Sequence, residues 1–156
     1  IQSSIMYITI YVIMNLGLFS CLLMMKRNNE YYENLDDLSG LSKNHPLLSL
    51  SLLIILFSLA GIPPLAGFFA KFYIFKAVIE QSMYFLAIVG LLSTVIAAFY
   101  YLRIIKIIYF DPEKEKYDQD HSPWLKFSLT ISTILILFYF ISPSQLVEAV
   151  SKINII

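Results

Sequence analysis

The chain has 156 residues, of which 58% are hydrophobic and 14% charged, and its mean hydropathy is +0.73. A soluble domain carries about 25% charged residues, so this is a membrane protein. Eleven Lys plus Arg balance eleven Asp plus Glu, which excludes the basic footprint of a phosphate-backbone binder and an acidic tail, and the lone Cys21 excludes an internal disulfide or a cysteine-based metal or cluster site.

A membrane-spanning helix needs about 20 predominantly apolar residues. The first candidate runs over about 3–25 without a charge and stops at Lys26-Arg27. The polar stretch that follows, to His45, reads as a solvated loop. From Pro46 to Ile79 the chain is apolar apart from Lys71 and Lys76, and a straight helix of that length would measure about 51 Å, well beyond the hydrocarbon thickness. The interruption lies near 61–67, where Pro63 and Pro64 delete backbone donors and Gly61 and Gly67 tolerate unusual dihedrals. A discontinuous helix over about 47–60 and 66–80 is therefore expected, with backbone that must be packed in protein or line a wet cavity.

A third span covers about 83–102 and closes at Arg103. A charged loop, Asp111 to His121, leads to a fourth span at about 124–140, and residues 141–156 read as an interfacial tail. The expected fold is all-α membrane, with four transmembrane helices in a single membrane segment, the second of them discontinuous. The loops after the first and third spans hold Lys26, Arg27, Lys43, Arg103, Lys106, Lys114, Lys116 and Lys126, which puts both on the cytoplasmic or matrix side.

Lys71 is the residue that demands a function, because an ionisable group inside an apolar span costs about 2.5–3.5 kcal/mol at the helix centre. Snorkelling to an interface is the plainer alternative. A desolvated amine can accept and release protons, so Lys71 is the candidate for proton transfer. Lys76 lies five positions on, about 140° around the helix, so the two amines are not expected to face one path; it reads as an interfacial lysine paired with Glu80 at i+4. No Asp or Glu occurs within an apolar span, so a counter-ion for Lys71 is expected from another polypeptide, and the chain reads as part of a larger assembly. Tyr11, Asn15, Ser93 and Tyr100 are possible members of a polar relay, although such residues more often bond across packed helices. His45 reads as a cap or loop contact and His121 as inert. There is no phosphate loop, catalytic triad or metal-ligand cluster in the sequence, so neither a cofactor nor a metal is assigned to this chain.

The run Leu59-Ala60-Gly61-Ile62-Pro63-Pro64-Leu65-Ala66-Gly67-Phe68-Phe69-Ala70-Lys71-Phe72-Tyr73 resembles the antiporter-like membrane subunits of respiratory complex I. With Tyr11 to Gly17, Asp37 to Leu41, His45-Pro46 and Tyr100 to Arg103, the likeness narrows to the subunit 2 type, called subunit N in bacteria. The resemblance covers essentially the whole chain and implies the last four helices of such a subunit, with Lys71 as its membrane-embedded titratable lysine. It implies a proton-translocating component of NADH:ubiquinone oxidoreductase, with NADH, FMN, iron–sulfur clusters and ubiquinone held by partner subunits. The implied partners are the amino-terminal part of the same subunit, neighbouring membrane subunits and lipid, with no nucleic acid. The implied location is the mitochondrial inner membrane, or alternatively a bacterial plasma membrane. The start at Ile1, without methionine, suggests a split subunit or a truncated sequence, and the former is expected. A subunit of a multisubunit cation/proton antiporter and a non-conducting structural subunit are the alternatives.

Overall fold

The computed structural model describes residues 2–27, 30–31, 34–114, 117 and 122–141. The expected interfacial tail, apart from its first residue, and His121 lie outside the described residues. Among those described, six helices account for nearly all regular structure: α1 (Gln2–Met24), α2 (Leu41–Asn44), α3 (Pro46–Ala60), α4 (Ala66–Glu80), α5 (Tyr84–Phe110) and α6 (Pro123–Ile141). Helices α1 and α5 are each long and apolar enough to cross a membrane, whereas α3 and α6 are shorter apolar helices.

The helix boundaries follow from local chemistry. Pro46 starts α3 at the first helical position, where its missing N–H would have no intrahelical partner anyway. Gly61 ends it in the left-handed conformation, at φ 84°, which a side chain would resist. Helix α5 runs to Phe110, two turns past the expected close at Arg103. Its extra turns pack: Ile105, Ile107 and Ile108 are buried, and Lys106 leaves the stripe to pair with Asp111 at 3.1 Å. The helix therefore continues beyond the basic residue that ends the unbroken apolar run.

Helix α1 packs chiefly on α6 and α4, and α3 on α5. The core is continuous through Met6, Ile10 and Met14 of α1, Leu52, Ile55 and Leu56 of α3, and Ile136 of α6. Gly17 lets these helices approach closely, since a Cβ there would lie 2.8 Å from both Ile55 Cδ1 and Ser132 Cβ. Small residues at helix crossings are the usual means of packing in lipid, where apolar burial supplies little drive.

The stretch 26–45 is not the freely solvated loop that its charge suggests. Lys26–Arg27 and Glu30–Tyr31 form a two-residue antiparallel ribbon, β1 and β2. A 3-10 turn at Leu35–Leu38 and helix α2 follow, with Leu38 and Leu41 buried. This segment closes on the end of α5 and the loop after it: Gly40 N–H donates to Ile107 O at 3.2 Å, Asn44 Nδ2 to Lys114 O at 2.7 Å, and the Tyr117 hydroxyl to Asp37 O. Lys114 also lies 3.6 Å from Asp37. His45 Nε2 accepts the Tyr117 backbone N–H at 3.0 Å. Two polar loops at one end of a bundle can satisfy each other's backbone groups, which a reading of either loop alone does not reveal.

Candidate functional site

The break between α3 and α4 brings Lys71 against Gly61 at the end of α3 and Gly67 against Ser58. A helix end leaves its last carbonyls without intrahelical donors. At the end of α3, Gly61 N–H donates to Phe57 O and Ser58 O at 3.1 and 3.0 Å, and Ile62 N–H donates to Phe57 O at 3.0 Å. This pattern resembles the Schellman closure, with the left-handed glycine where it is needed. The next carbonyl, Leu59 O, receives its hydrogen bond from Lys71 Nζ, at 2.7 Å.

Lys71 thus caps the carboxyl end of α3. That end carries partial negative charge from the aligned peptide dipoles as well as an orphan acceptor, so an ammonium is favoured there. Among the described residues no carboxylate bonds to it, and its partner belongs to its own chain. Within the chain, the group that Lys71 meets is a helix terminus.

Two glycines make the geometry possible. A Cβ at Gly67 would sit 1.9 Å from Ser58 O, and one at Gly61 would sit 3.1 Å from Lys71 Cδ. The first turn of α4 therefore lies directly against the last turn of α3, and the lysine stem lies against Gly61. Pro63 and Pro64, joined by a cis peptide bond, stand exposed in the connecting turn. Their missing N–H groups leave fewer donors to satisfy in an unwound segment.

Half-buried Lys71 borders a partly open cavity of about 510 Å³ between α4 and α5. Phe68, Phe72, Phe75 and Leu91 make its wall largely apolar, and Thr94 from α5 adds a hydroxyl. Lys76 and Glu80 border the same cavity, although their place on the helix sets the two amines apart by about 140°. The 140° between them is spanned because the phenylalanine stripe 68–72–75 runs along the cavity between the two lysines, one on each flank. Lys76 Nζ lies 3.8 Å from Glu80 Oε1 with both side chains well exposed.

The other relay candidates lie elsewhere. Asn15 Nδ2 donates to Tyr11 O at 2.8 Å and Ser93 Oγ to Val89 O at 2.9 Å, each within its own helix. Tyr11 stacks on Tyr7 with ring centroids 6.0 Å apart, and Tyr100 is exposed on α5. None of the four borders the Lys71 cavity. Two participants escaped the sequence reading: the Leu59 carbonyl, as a backbone group, has no residue signature, and Ser58 looks like any hydroxyl in an apolar helix. Their available signal was position, since both precede a helix-ending glycine and so belong to a terminus with acceptors to satisfy.

Residues 1–97 match the family described as "NADH:quinone oxidoreductase/Mrp antiporter, TM". Over all 156 residues the chain is 81% identical to NADH-quinone oxidoreductase subunit N of Pelagibacter ubique and covers 33% of that protein. It is 47% identical over 149 residues to the subunit N of Parvibaculum lavamentivorans, covering 96% of this chain and 31% of that one. The fold is also similar to a chain of respiratory complex I from Thermus thermophilus with bound aureothin, at a TM-score of 0.80 and 26% identity, covering 96% of this chain and 34% of that one. The chain thus spans about a third of the length of the curated relatives it matches. A family match over more than half the chain, together with a helix broken at glycine and proline to seat a lysine, places this chain in the NADH:quinone oxidoreductase/Mrp antiporter membrane family.

Proposed function

We propose that this chain forms the carboxyl-terminal part of a subunit N of NADH:quinone oxidoreductase and that Lys71 takes part in proton translocation. The relatives' names support the first half of this reading, and the seat of Lys71 carries the second. An ammonium held on the Leu59 carbonyl at 2.7 Å, at the edge of a cavity and with no bonded carboxylate among the described residues, can lose its proton without stranding a buried anion. A lysine locked in a buried ion pair could not do so cheaply.

On this reading α1, α5 and α6 each cross the membrane once, and α3 with α4 forms a fourth, discontinuous crossing whose break gives the lysine its access to the cavity. The basic loops after the first and third crossings lie on the cytoplasmic side. The named relatives are bacterial, so the bacterial plasma membrane is assigned in place of the mitochondrial inner membrane. The amino-terminal part of the subunit and the neighbouring membrane subunits are the partners, with lipid around them. NADH, FMN, the iron–sulfur clusters and the quinone are assigned to those other subunits, whose redox chemistry drives the change of state at Lys71.

The test is Lys71→Met in the complete subunit within the assembled complex. Loss of a proton-transfer group predicts about a 100-fold fall in coupled pumping with a normal amount of complex; full pumping would overturn the reading. The family description also names the Mrp antiporter, which favours a cation/proton antiporter as the second reading. Purification of the tagged subunit separates the two, since only the first brings NADH-oxidising partners with it.

A further inference from the structure

Ser58 is fully buried at the end of α3, and its hydroxyl does two things at once. Its oxygen accepts the Gly67 N–H at 2.9 Å, and it donates toward Met14 Sδ at 3.0 Å. The first bond joins the two halves of the broken helix, and the second ties both to α1. Gly67 is among the first-turn residues of α4, whose N–H groups have no intrahelical acceptor; without Ser58 this one would be buried and unsatisfied.

Gly67 and Lys71 stand four residues apart and therefore share one face of α4. Pinning Gly67 to Ser58 turns that face toward the end of α3. The close approach allows no slack, since only a glycine hydrogen fits between Gly67 and Ser58 O. One turn further along the same face, the Lys71 stem passes Gly61 and its Nζ reaches the carbonyl of Leu59, the residue that follows Ser58. The hydroxyl thus fixes the distance over which the lysine must reach.

We infer that Ser58 is a positioning residue for Lys71: its hydroxyl clamps the first turn of α4 to the last turn of α3, and that clamp seats the ammonium on the Leu59 carbonyl. Met14 is the dispensable side of the same hydroxyl, because a thioether is a weak acceptor and its loss leaves the clamp intact. The inference rests on the proposed role of Lys71.

The experiment compares Ser58→Ala, Ser58→Thr and Met14→Leu in the complete subunit of the assembled complex, measuring protons pumped per NADH oxidised together with the amount of complex. Alanine keeps the volume but leaves the Gly67 N–H without an acceptor. Pumping should fall on the order of tenfold, between the worth of one hydrogen bond and the penalty for a displaced reacting group. Threonine restores the hydroxyl and should return pumping to near the parent level; where its extra methyl prevents assembly, Ser58→Cys serves as the weaker-bonding substitute and should recover part of it. Met14→Leu should pump like the parent. Parent-like pumping by Ser58→Ala overturns the inference, and so does failure of every hydroxyl- or thiol-bearing replacement to improve on alanine. Lys71→Met is run alongside: if it pumps normally the proton-transfer reading itself fails, whereas a defective Lys71→Met beside a normal Ser58→Ala removes only the clamp.

Discussion

The break between α3 and α4 and the stretch of α5 from Tyr84 to Ile104 are both strongly apolar, yet they are built on opposite plans. In the break, serine, glycine and lysine side chains or their backbone groups are tied to a neighbour across the gap, and adding one methyl group at Gly67 would collide with backbone. In α5 between Tyr84 and Ile104 only Ala87 is buried, and Ser93 and Thr94 bond back to carbonyls of their own helix at 2.9 Å. Only 6% of the most apolar window of α5 is buried, against 33% for α1. Hydropathy thus marks what can enter lipid, while small residues and satisfied polar groups mark what is packed in protein.

Glycine substitutions break that comparison most directly. Gly67→Ala places a Cβ against the Ser58 carbonyl, which is backbone and cannot step aside. The expected cost is about 3 kcal/mol or more, at the upper end for overpacking, read as loss of assembled complex or a large drop in its Tm. In α5, Gly90→Ala meets only the ring edge of Phe75, at 2.8 Å. Moving that ring costs about 0.5–1.5 kcal/mol, offset by the gain of about 1 kcal/mol when alanine replaces glycine inside a helix. Thermal unfolding of the Gly90→Ala variant should therefore stay close to the parent, and a collapse like that of Gly67→Ala would erase the distinction between the two regions.

The smallest effect is expected for Lys76→Met. Its pairing with Glu80 is exposed and 3.8 Å long, and exposed pairs contribute about 0–1 kcal/mol. Stability and pumping should both stay near the parent. Because Lys76 shares the cavity with Lys71, this variant also sharpens the comparison: a severe pumping defect would extend to Lys76 the role proposed for Lys71.

Much of the break was legible in the residues. Gly61, Pro63, Pro64 and Gly67 signal it through dihedral freedom and missing donors, and Lys71 stands out because charge inside an apolar run is costly. The partner of Lys71 was not legible, because a search for a counter-ion considers side chains and the acceptor is the Leu59 backbone carbonyl. The common cavity of Lys71 and Lys76 was hidden for a related reason. An angle around one helix says which way each side chain starts, not how wide a space the neighbouring helix leaves. The loop at 26–45 misled because its charges were weighed alone, whereas Asp37, Asn44 and His45 find partners on Lys114 and Tyr117 of the loop after α5.

Sequence alone therefore determined the apolar helices, the point at which one of them must break and the presence of an amine near that point, since all three depend on local composition and on backbone chemistry that each residue carries with it. Tertiary structure alone decided what the amine touches, which groups border its cavity and which glycines bear the closest contacts. Those depend on how one helix end is turned against the next, and here that turn is set by a buried serine hydroxyl and a backbone N–H nine residues further along the chain.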